Sequence, residues 1–411
     1  METLILGWYV LVESGSVQLL VLFGALQYLG SLCSPMFGVA GDRVGYRRLL
    51  WMTRALYAAL ALLLGILAAN QALTPVNVLV IAAIIGLVRP SDLMMRYALI
   101  AQTMPAGQLL GALGVSRITS DSARITGALA GAGAVAAYGI ASAYVVVTLL
   151  YLLSFSLSLG VARHTRPYTA RNADTSTAGV NVSKELVAPL SRRALAKASP
   201  LQDLGEAFRY VWRKPDLLGA MALAFLVNLL AFPFVLGLLP YVAKNVYGVG
   251  QTDLGLLVAA FAFGALIASI VLAANRFVKR PARTMIIAAV CWFGLLLLFA
   301  IVTRTSIGIG LLVCAGFAQS LCLTPLAAVM LQASAPEYRG RVMGMRLLAV
   351  WGLPAGLLLS GPLIDIAGFT ATTLSYASLG LVCTLVLGWR WRDYLWNSDA
   401  PANIASATAN R

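Results

Sequence analysis

Long apolar segments, separated by short polar and charged clusters, run along the whole chain. Most of them have about 20 residues, which is the length that an α-helix needs to cross a hydrocarbon layer of about 30 Å. We place eleven full spans at residues 16–37, 49–69, 77–99, 110–136, 138–161, 217–240, 253–274, 284–303, 307–331, 342–365 and 370–389. Residues 2–12 form a further apolar piece of about half a span. The pattern predicts an all-α, polytopic membrane protein.

Composition agrees with this prediction and excludes a soluble domain. Of the 411 residues, 60% are hydrophobic and 11% are charged, whereas soluble domains have about 25% charged residues. The net charge of +15 could indicate a nucleic-acid partner. The basic residues, however, form short clusters between the apolar spans, which is the pattern of cytoplasmic loops in membrane proteins. We therefore expect a lipid bilayer as the partner and no nucleic acid.

The basic clusters also predict an orientation. If residues 42–48 face the cytoplasm and the spans alternate from there, nearly all lysines and arginines lie on the same side. Because this bias sets the orientation of membrane proteins, we expect residues 162–215 and the C-terminus to be cytoplasmic. The expected location is the cell (inner) membrane, with several passes.

Two related halves divide the chain. The sequence QTMPAGQLLGALG at 102–114 has a counterpart in QASAPEYRGRVMG at 332–344. Such repeats are typical of secondary transporters. The predicted organisation is listed here: an N-terminal bundle at 1–161, a cytoplasmic linker with an amphipathic helix at 162–215, a C-terminal bundle at 216–390 and a cytoplasmic tail at 391–411. The amphipathic helix either couples the two bundles or rests on lipid headgroups.

The loop GVAGDRVGYRR at 38–48 resembles a motif of the major facilitator superfamily, G-x-x-x-D-R-x-G-R-R, although Tyr46 displaces one basic position. The matching residues are Gly38, Asp42, Arg43, Gly45, Arg47 and Arg48. Residues 205–217, 240–248 and 253–266 are similar to the enterobactin-exporter-like branch. The resemblance implies two pseudo-symmetric six-helix bundles. It also implies that residues 1–12 are the outer half of a partial first helix, so that either the start is assigned too late or the protein is truncated.

The same resemblance implies that the loop is a conformational latch, with Asp92 as a partner of its arginines. The latch would hold the cytoplasmic side closed. The alternative is a plain basic anchor with a turn, in which Gly45 permits a positive φ and the arginines hold the cytoplasmic face.

Six charged residues lie inside two consecutive spans. Arg89, Asp92 and Arg96 fall within an arc of about 60° on one predicted helix. Arg117, Asp121 and Arg124 do so on the next. Because the two helices are antiparallel, these side chains predict a ladder of alternating charge. Intramembrane charges usually pair and mark functional sites, so the network either locks the bundle or serves substrate or proton binding.

Other polar residues in the spans are Gln27, Asn228 and Gln319. Each could line a central cavity or make a hydrogen bond between helices. The chain has one histidine, His164, and five cysteines without metal-type spacing. We therefore expect no metal site, no cofactor and no catalytic residues, and a membrane-embedded enzyme is the weaker hypothesis.

These features favour a secondary active transporter that moves a small organic molecule by alternating access. The branch resemblance, rather than any single residue, indicates efflux. No nucleotide-binding G-x-x-x-x-G-K-[ST] motif occurs, so a proton gradient is the expected energy source, as in an antiporter, with Asp92 or Asp121 as carriers. We expect a monomer. The alternative is a non-transporting or defunct truncated membrane protein.

Overall fold

The computed structural model describes residues 1–31, 46–103, 109–160, 200–273, 280–334, 342, 345–346 and 348–392. Within these residues the chain is helical and contains no strand. We number the helices of ten or more residues α1 (Glu2–Ser14), α2 (Val17–Leu26), α3 (Tyr46–Ala69), α4 (Pro75–Thr103), α5 (Leu109–Leu159), α6 (Pro200–Arg213), α7 (Pro215–Leu230), α8 (Gln251–Ala273), α9 (Pro281–Ile301), α10 (Thr305–Ala333) and α11 (Gly352–Arg390).

Six helices in the described part of the chain are long and apolar enough to cross a membrane. Two of these, α5 and α11, are too long for a single pass. A straight helix of 51 residues, the length of α5, would extend about 75 Å, more than twice the thickness of the hydrocarbon layer. α5 breaks at Gly139 (φ 78°) and α11 at Gly368 (φ 82°), so each helix makes two passes. The break at Gly368 lies in the predicted gap at 366–369, and the break at Gly139 lies two residues after the predicted gap at 137.

The first span of the C-terminal half is irregular beyond α7. Residues Pro233–Gly237 and Val242–Val246 are π-helical, with the short helix Leu239–Tyr241 between them. Pro233 and Pro240 lack the N–H group that continues an α-helical ladder, and π-turns often occur at functional sites. The predicted span at 217–240 is therefore a regular helix followed by a distorted segment.

Two apolar cores hold the helices together. The smaller core lies inside the N-terminal half, with Ile5, Leu64 and Tyr144 fully buried. The larger core fills the C-terminal half around Trp292 and Phe293 and also includes residues of α1, α2 and α5. α8 packs against α5, and α11 packs against α2. The two halves therefore share one continuous apolar interface.

The linker ends in α6, which is amphipathic. Val211 is buried against the C-terminal half, whereas Phe208 and Trp212 are exposed and stack on each other. Lys214, just beyond α6, donates a hydrogen bond of 3.1 Å from Nζ to the carbonyl oxygen of Ala333. This bond fixes the end of α6 to the C-terminal end of α10.

Candidate functional site: a cavity between the two halves

A cavity of about 260 Å³ lies between the two halves of the molecule. Its N-terminal wall carries the polar side chains of Thr3, Gln27, Arg89 and Arg124. Its C-terminal wall is apolar and includes Val235, Leu236, Leu239, Pro240, Leu254, Val258 and Leu357. We call this space the central cavity. One charged wall and one apolar wall suit a small organic molecule that is partly polar.

The polar wall depends on a close approach between α4 and the end of α2. A Cβ atom at Gly86 would overlap the carbonyl oxygen of Leu26, and one at Gly30 would overlap that of Leu87. Only glycine permits such contact between backbones, as small residues do between membrane helices. Because Arg89 lies one turn after Gly86, the contact places its side chain beside Gln27.

Gln27 is the acceptor that joins three helical segments at this wall. Its Oε1 atom accepts a hydrogen bond of 2.5 Å from Nη1 of Arg89 and one of 3.0 Å from Oγ1 of Thr3. The side chain of Gln27 is buried, whereas that of Arg89 is exposed to the cavity. The network orients the guanidinium group of Arg89 through an uncharged acceptor, the amide oxygen of Gln27.

A second cavity of about 260 Å³ lies inside the N-terminal half. Thr3, Phe23, Gln27 and Arg89 line both cavities. The remaining lining residues are Glu2, Leu6, Arg54, Tyr57, Ala82, Ile85 and Tyr151. We call this space the bundle cavity. The side chains of Gln27 and Arg89 therefore form a shared wall between two polar spaces.

Glu2 is the acidic residue of the bundle cavity, and the sequence analysis did not identify it. Its Oε2 atom accepts a hydrogen bond of 2.8 Å from the hydroxyl group of Tyr151, whereas Oε1 is buried and has no hydrogen-bond partner. Tyr57 and Tyr151 were also missed, because the sequence analysis considered only charged and amide side chains within the spans. Each of those helices turns one polar face inward, which a count of interior charges does not reveal.

The predicted charge network is partly within the described residues. Arg89 and Arg124 line the central cavity together. Asp121 is fully buried on the same helix as Arg124. The side chains of Asp92, Arg96 and Arg117 lie outside the described residues, so the ladder stays a prediction.

The predicted latch also stays a prediction. Gly38, Asp42, Arg43 and Gly45 lie outside the described residues, as does the side chain of Arg47. Arg48 is exposed in the first turn of α3.

Two of the three predicted cavity amides lie elsewhere. Gln27 lines both cavities, but Asn228 and Gln319 line neither. Asn228 is buried and donates a hydrogen bond of 2.8 Å to the carbonyl oxygen of Ala224 in its own helix. Gln319 is buried in α10, where its Oε1 atom has no hydrogen-bond partner.

Polar contacts join the halves at one end of the molecule, where α1 ends and α2 begins. Gln18 in α2 donates a hydrogen bond to Asp365 in α11, at 2.9 Å. Lys244 donates one of 3.2 Å to the carbonyl oxygen of Leu11. We call this end the Gln18 face. The two halves are closed against each other there.

Paired helical bundles with a polar cavity at their interface define the class of multi-pass membrane transporters. The sequence profile of the Major Facilitator Superfamily matches residues 4–357 and 221–406. The chain therefore belongs to this superfamily, and the predicted fold class is confirmed.

Individual relatives agree with this assignment. The multidrug efflux pump Tap of Mycolicibacterium fortuitum is 29% identical over 188 residues, which is 44% of each chain, so the match covers less than half of that pump. A POT family transporter solved with a thioalcohol-conjugated peptide aligns over 96% of this chain and 94% of its own, with a TM-score of 0.70 and 12% identity. The human organic anion transporter MFSD10 (TETRAN) aligns over 90% and 83%, with a TM-score of 0.60 and 18% identity. At these identities the two structures establish the fold alone.

Proposed function

We propose that this chain is a secondary active transporter that exports a small organic molecule by alternating access, driven by a proton gradient. The observation that carries the proposal is the central cavity, which lies at the interface of the two halves and is lined by both of them. A cavity in this position changes its access when the halves rock against each other. The relative Tap is a multidrug efflux pump, which supports the outward direction.

The basic residues give the proposed orientation. With residues 42–48 and 162–215 in the cytoplasm of the cell, the C-terminus is also cytoplasmic and the Gln18 face is the outer face. The contacts from Gln18 to Asp365 and from Lys244 to Leu11 then close the outer side. In this conformation the central cavity would exchange its contents with the cytoplasm, as an exporter requires when it loads substrate.

A proton gradient is the proposed energy source for two reasons. The sequence has no nucleotide-binding P-loop, so ATP hydrolysis would need a partner protein. The N-terminal half contains buried acidic side chains, and intramembrane carboxylates are typical of proton-coupled transporters. Asp121 is fully buried, and Glu2 lines the bundle cavity.

An accumulation screen tests the proposal. The full chain is expressed in a bacterial strain that lacks its own exporters, and accumulation of a panel of anionic, neutral and cationic dyes and antibiotics is measured. We expect lower accumulation of at least one compound, and restoration of its level by a protonophore. Val258→Trp should abolish the effect, because Val258 lines the central cavity.

Val146→Trp is the matched control, because Val146 in α5 is 44% exposed on the protein surface and lines neither cavity. Export should persist in this variant at equal expression. If no compound changes in amount, or if accumulation rises, the proposal of export is wrong. If a protonophore has no effect on an active exporter, proton coupling alone is wrong.

A further inference from the structure

We infer that Glu2 is the proton-binding group of the transport cycle, and that Arg89 switches between Gln27 and Glu2 as the proton leaves. This inference rests on the proposed proton-driven transport. The bundle cavity contains both partners of the switch, and Arg89 and Gln27 also line the central cavity. A change in the contacts that Arg89 makes in the central cavity can therefore alter its contacts with Glu2 in the bundle cavity.

In the present conformation the carboxyl group of Glu2 is poorly suited to carry a negative charge. One oxygen accepts a hydrogen bond from Tyr151, and the other is buried without a hydrogen-bond partner. A buried carboxylate is costly unless it is paired and fully hydrogen-bonded. The proton therefore belongs on Glu2 in this state.

Several charged and titratable groups face Glu2 from the elements packed around it. Among the described residues they are Arg54 and Tyr57 on α3, Arg89 on α4, Tyr144 and Tyr151 on α5, and the α-amino group of Met1, which precedes α1; Arg124 acts on that amino group. Of the arginines, Arg89 lines both cavities and has its hydrogen bond to an uncharged acceptor, Gln27. Exchanging that acceptor for a carboxylate would replace a neutral hydrogen bond with a stronger charge-assisted one.

Binding of the substrate in the central cavity starts the exchange of partners by Arg89. Oε1 of Gln27 already accepts two hydrogen bonds, from Arg89 and from Thr3. A substrate in the central cavity that donates a hydrogen bond from an N–H or O–H group to this atom competes with Arg89. The displaced guanidinium then pairs with Glu2, the O–H bond of the carboxyl group breaks, and the proton passes to water in the bundle cavity. The carboxylate keeps the electron pair, and no oxidant or reductant is needed.

This order of events makes substrate and proton mutually exclusive, which is the requirement for antiport. It also defines the substrate class as an uncharged or weakly charged molecule with a hydrogen-bond donor and an apolar body, since the opposite wall is apolar. A strongly cationic donor is disfavoured by Arg89 and Arg124 on the polar wall.

Infrared difference spectroscopy of the purified full chain in nanodiscs tests the site without a known substrate. Spectra recorded between acid and alkaline pH should contain a carbonyl band of a buried protonated carboxyl group. We expect Glu2→Gln to remove this band. The control Glu13→Gln, which alters an exposed glutamate of the same helix, should leave it unchanged. Retention of the complete band in Glu2→Gln would overturn the inference.

Two further variants keep the test decisive if Glu2→Gln does not fold. Tyr151→Phe removes the hydrogen bond to Oε2 of Glu2, so the carbonyl band should move to higher frequency; an unchanged band would exclude Glu2 as its source. Gln27→Leu removes the present acceptor of Arg89 and should weaken the band at neutral pH, because Arg89 then pairs with Glu2. The control Asn77→Leu, at an amide that lines neither cavity and hydrogen-bonds within its own half, should not do so, and an equal band in Gln27→Leu would refute the switch.

The outcomes separate this inference from the proposed function. If the band responds as expected but the protein exports nothing, the proposal of transport is wrong and the assignment of the proton site to Glu2 stands. Export that responds to a protonophore in Glu2→Gln as it does in wild type would keep transport and reject Glu2 as the proton carrier.

Discussion

Gln18 and Asp365 join the two halves of the molecule through a hydrogen bond of 2.9 Å between Nε2 and Oδ2. Hydrogen bonds to a carboxylate contribute about 1.5–3 kcal/mol where they are shielded from water. This bond is exposed, so its contribution is smaller. Because it joins α2 to α11, it favours the conformation in which the Gln18 face is closed. Its loss should therefore change the balance of conformations more than the stability of either half.

We expect Gln18→Leu to favour the state that is open at this face by about fivefold, as a loss of about 1 kcal/mol predicts. A cysteine in place of Val258, in a background without other cysteines, should react faster with an impermeant thiol reagent added outside cells. Asn77→Leu is the control, because Asn77 hydrogen-bonds within its own half. Equal reaction rates in Gln18→Leu and in the parent protein would contradict this prediction.

Gly86→Ala should displace α4 from α2. The added Cβ would overlap the carbonyl oxygen of Leu26, which cannot move without shifting the backbone. Overpacking of this kind costs about 1–3 kcal/mol. We expect a lower melting temperature and reduced export, because the bond from Arg89 to Gln27 lengthens.

Gly294→Ala is the matched control, since a Cβ at Gly294 in α9 meets no atom within 4 Å. Alanine there should be neutral or stabilising by up to about 1 kcal/mol, because it favours the helix. A Gly86→Ala protein as stable and active as Gly294→Ala would show that the close approach has no role.

The charge network makes a further prediction. If Asp121 and Arg124 belong to one network, removal of one charge leaves its partner uncompensated, at a cost of about 3–5 kcal/mol. Asp121→Asn and Arg124→Gln should each lower stability or export, and the double variant should be milder than the sum. Thermal unfolding of the three purified variants measures this coupling. Strictly additive losses would indicate independent residues.

Topology is tested by labelling. Single cysteines at Ser199 and Ser406 should resist an impermeant thiol reagent outside intact cells and react after the cells are opened. The physical reason is the concentration of basic residues in 162–215, which favours the cytoplasmic side of the membrane. Labelling of either cysteine in intact cells would reverse the proposed orientation.

The number and length of the spans could be predicted because a bilayer requires about 20 apolar residues per helix. Helical periodicity and antiparallel order also predict a charge ladder that includes Arg89 and Arg124, and this ladder stays a prediction. Glu2 and Tyr151 were not predicted. Lipid and protein interiors both select apolar side chains, so a membrane sequence contains little information on which helix face turns inward. A single glutamate in a half-length span gave no periodic pattern to interpret.

The contact between Gly86 and Leu26 could likewise not be predicted from the sequence. Glycine is frequent in membrane helices, and nothing in the chain distinguishes Gly86 from Gly294, which touches no neighbour in the same way. The distortion at Pro233 and Pro240 could be expected from proline chemistry, but its role in shaping the central cavity depends on which helices stand opposite.

In the proposed orientation, the glycine breaks at Gly139 and Gly368 have a consequence for molecules that approach from outside the cell. In the described structure the chain reverses between two passes at each of these residues without a loop, and Gly15, Gln71 and Gly248 make tight turns at the same face. That face offers few extended backbone segments, and a protease needs such a segment to bind. Externally added protease should therefore leave these connections intact, and an epitope tag inserted at Gly139 or Gly368 should disrupt the fold.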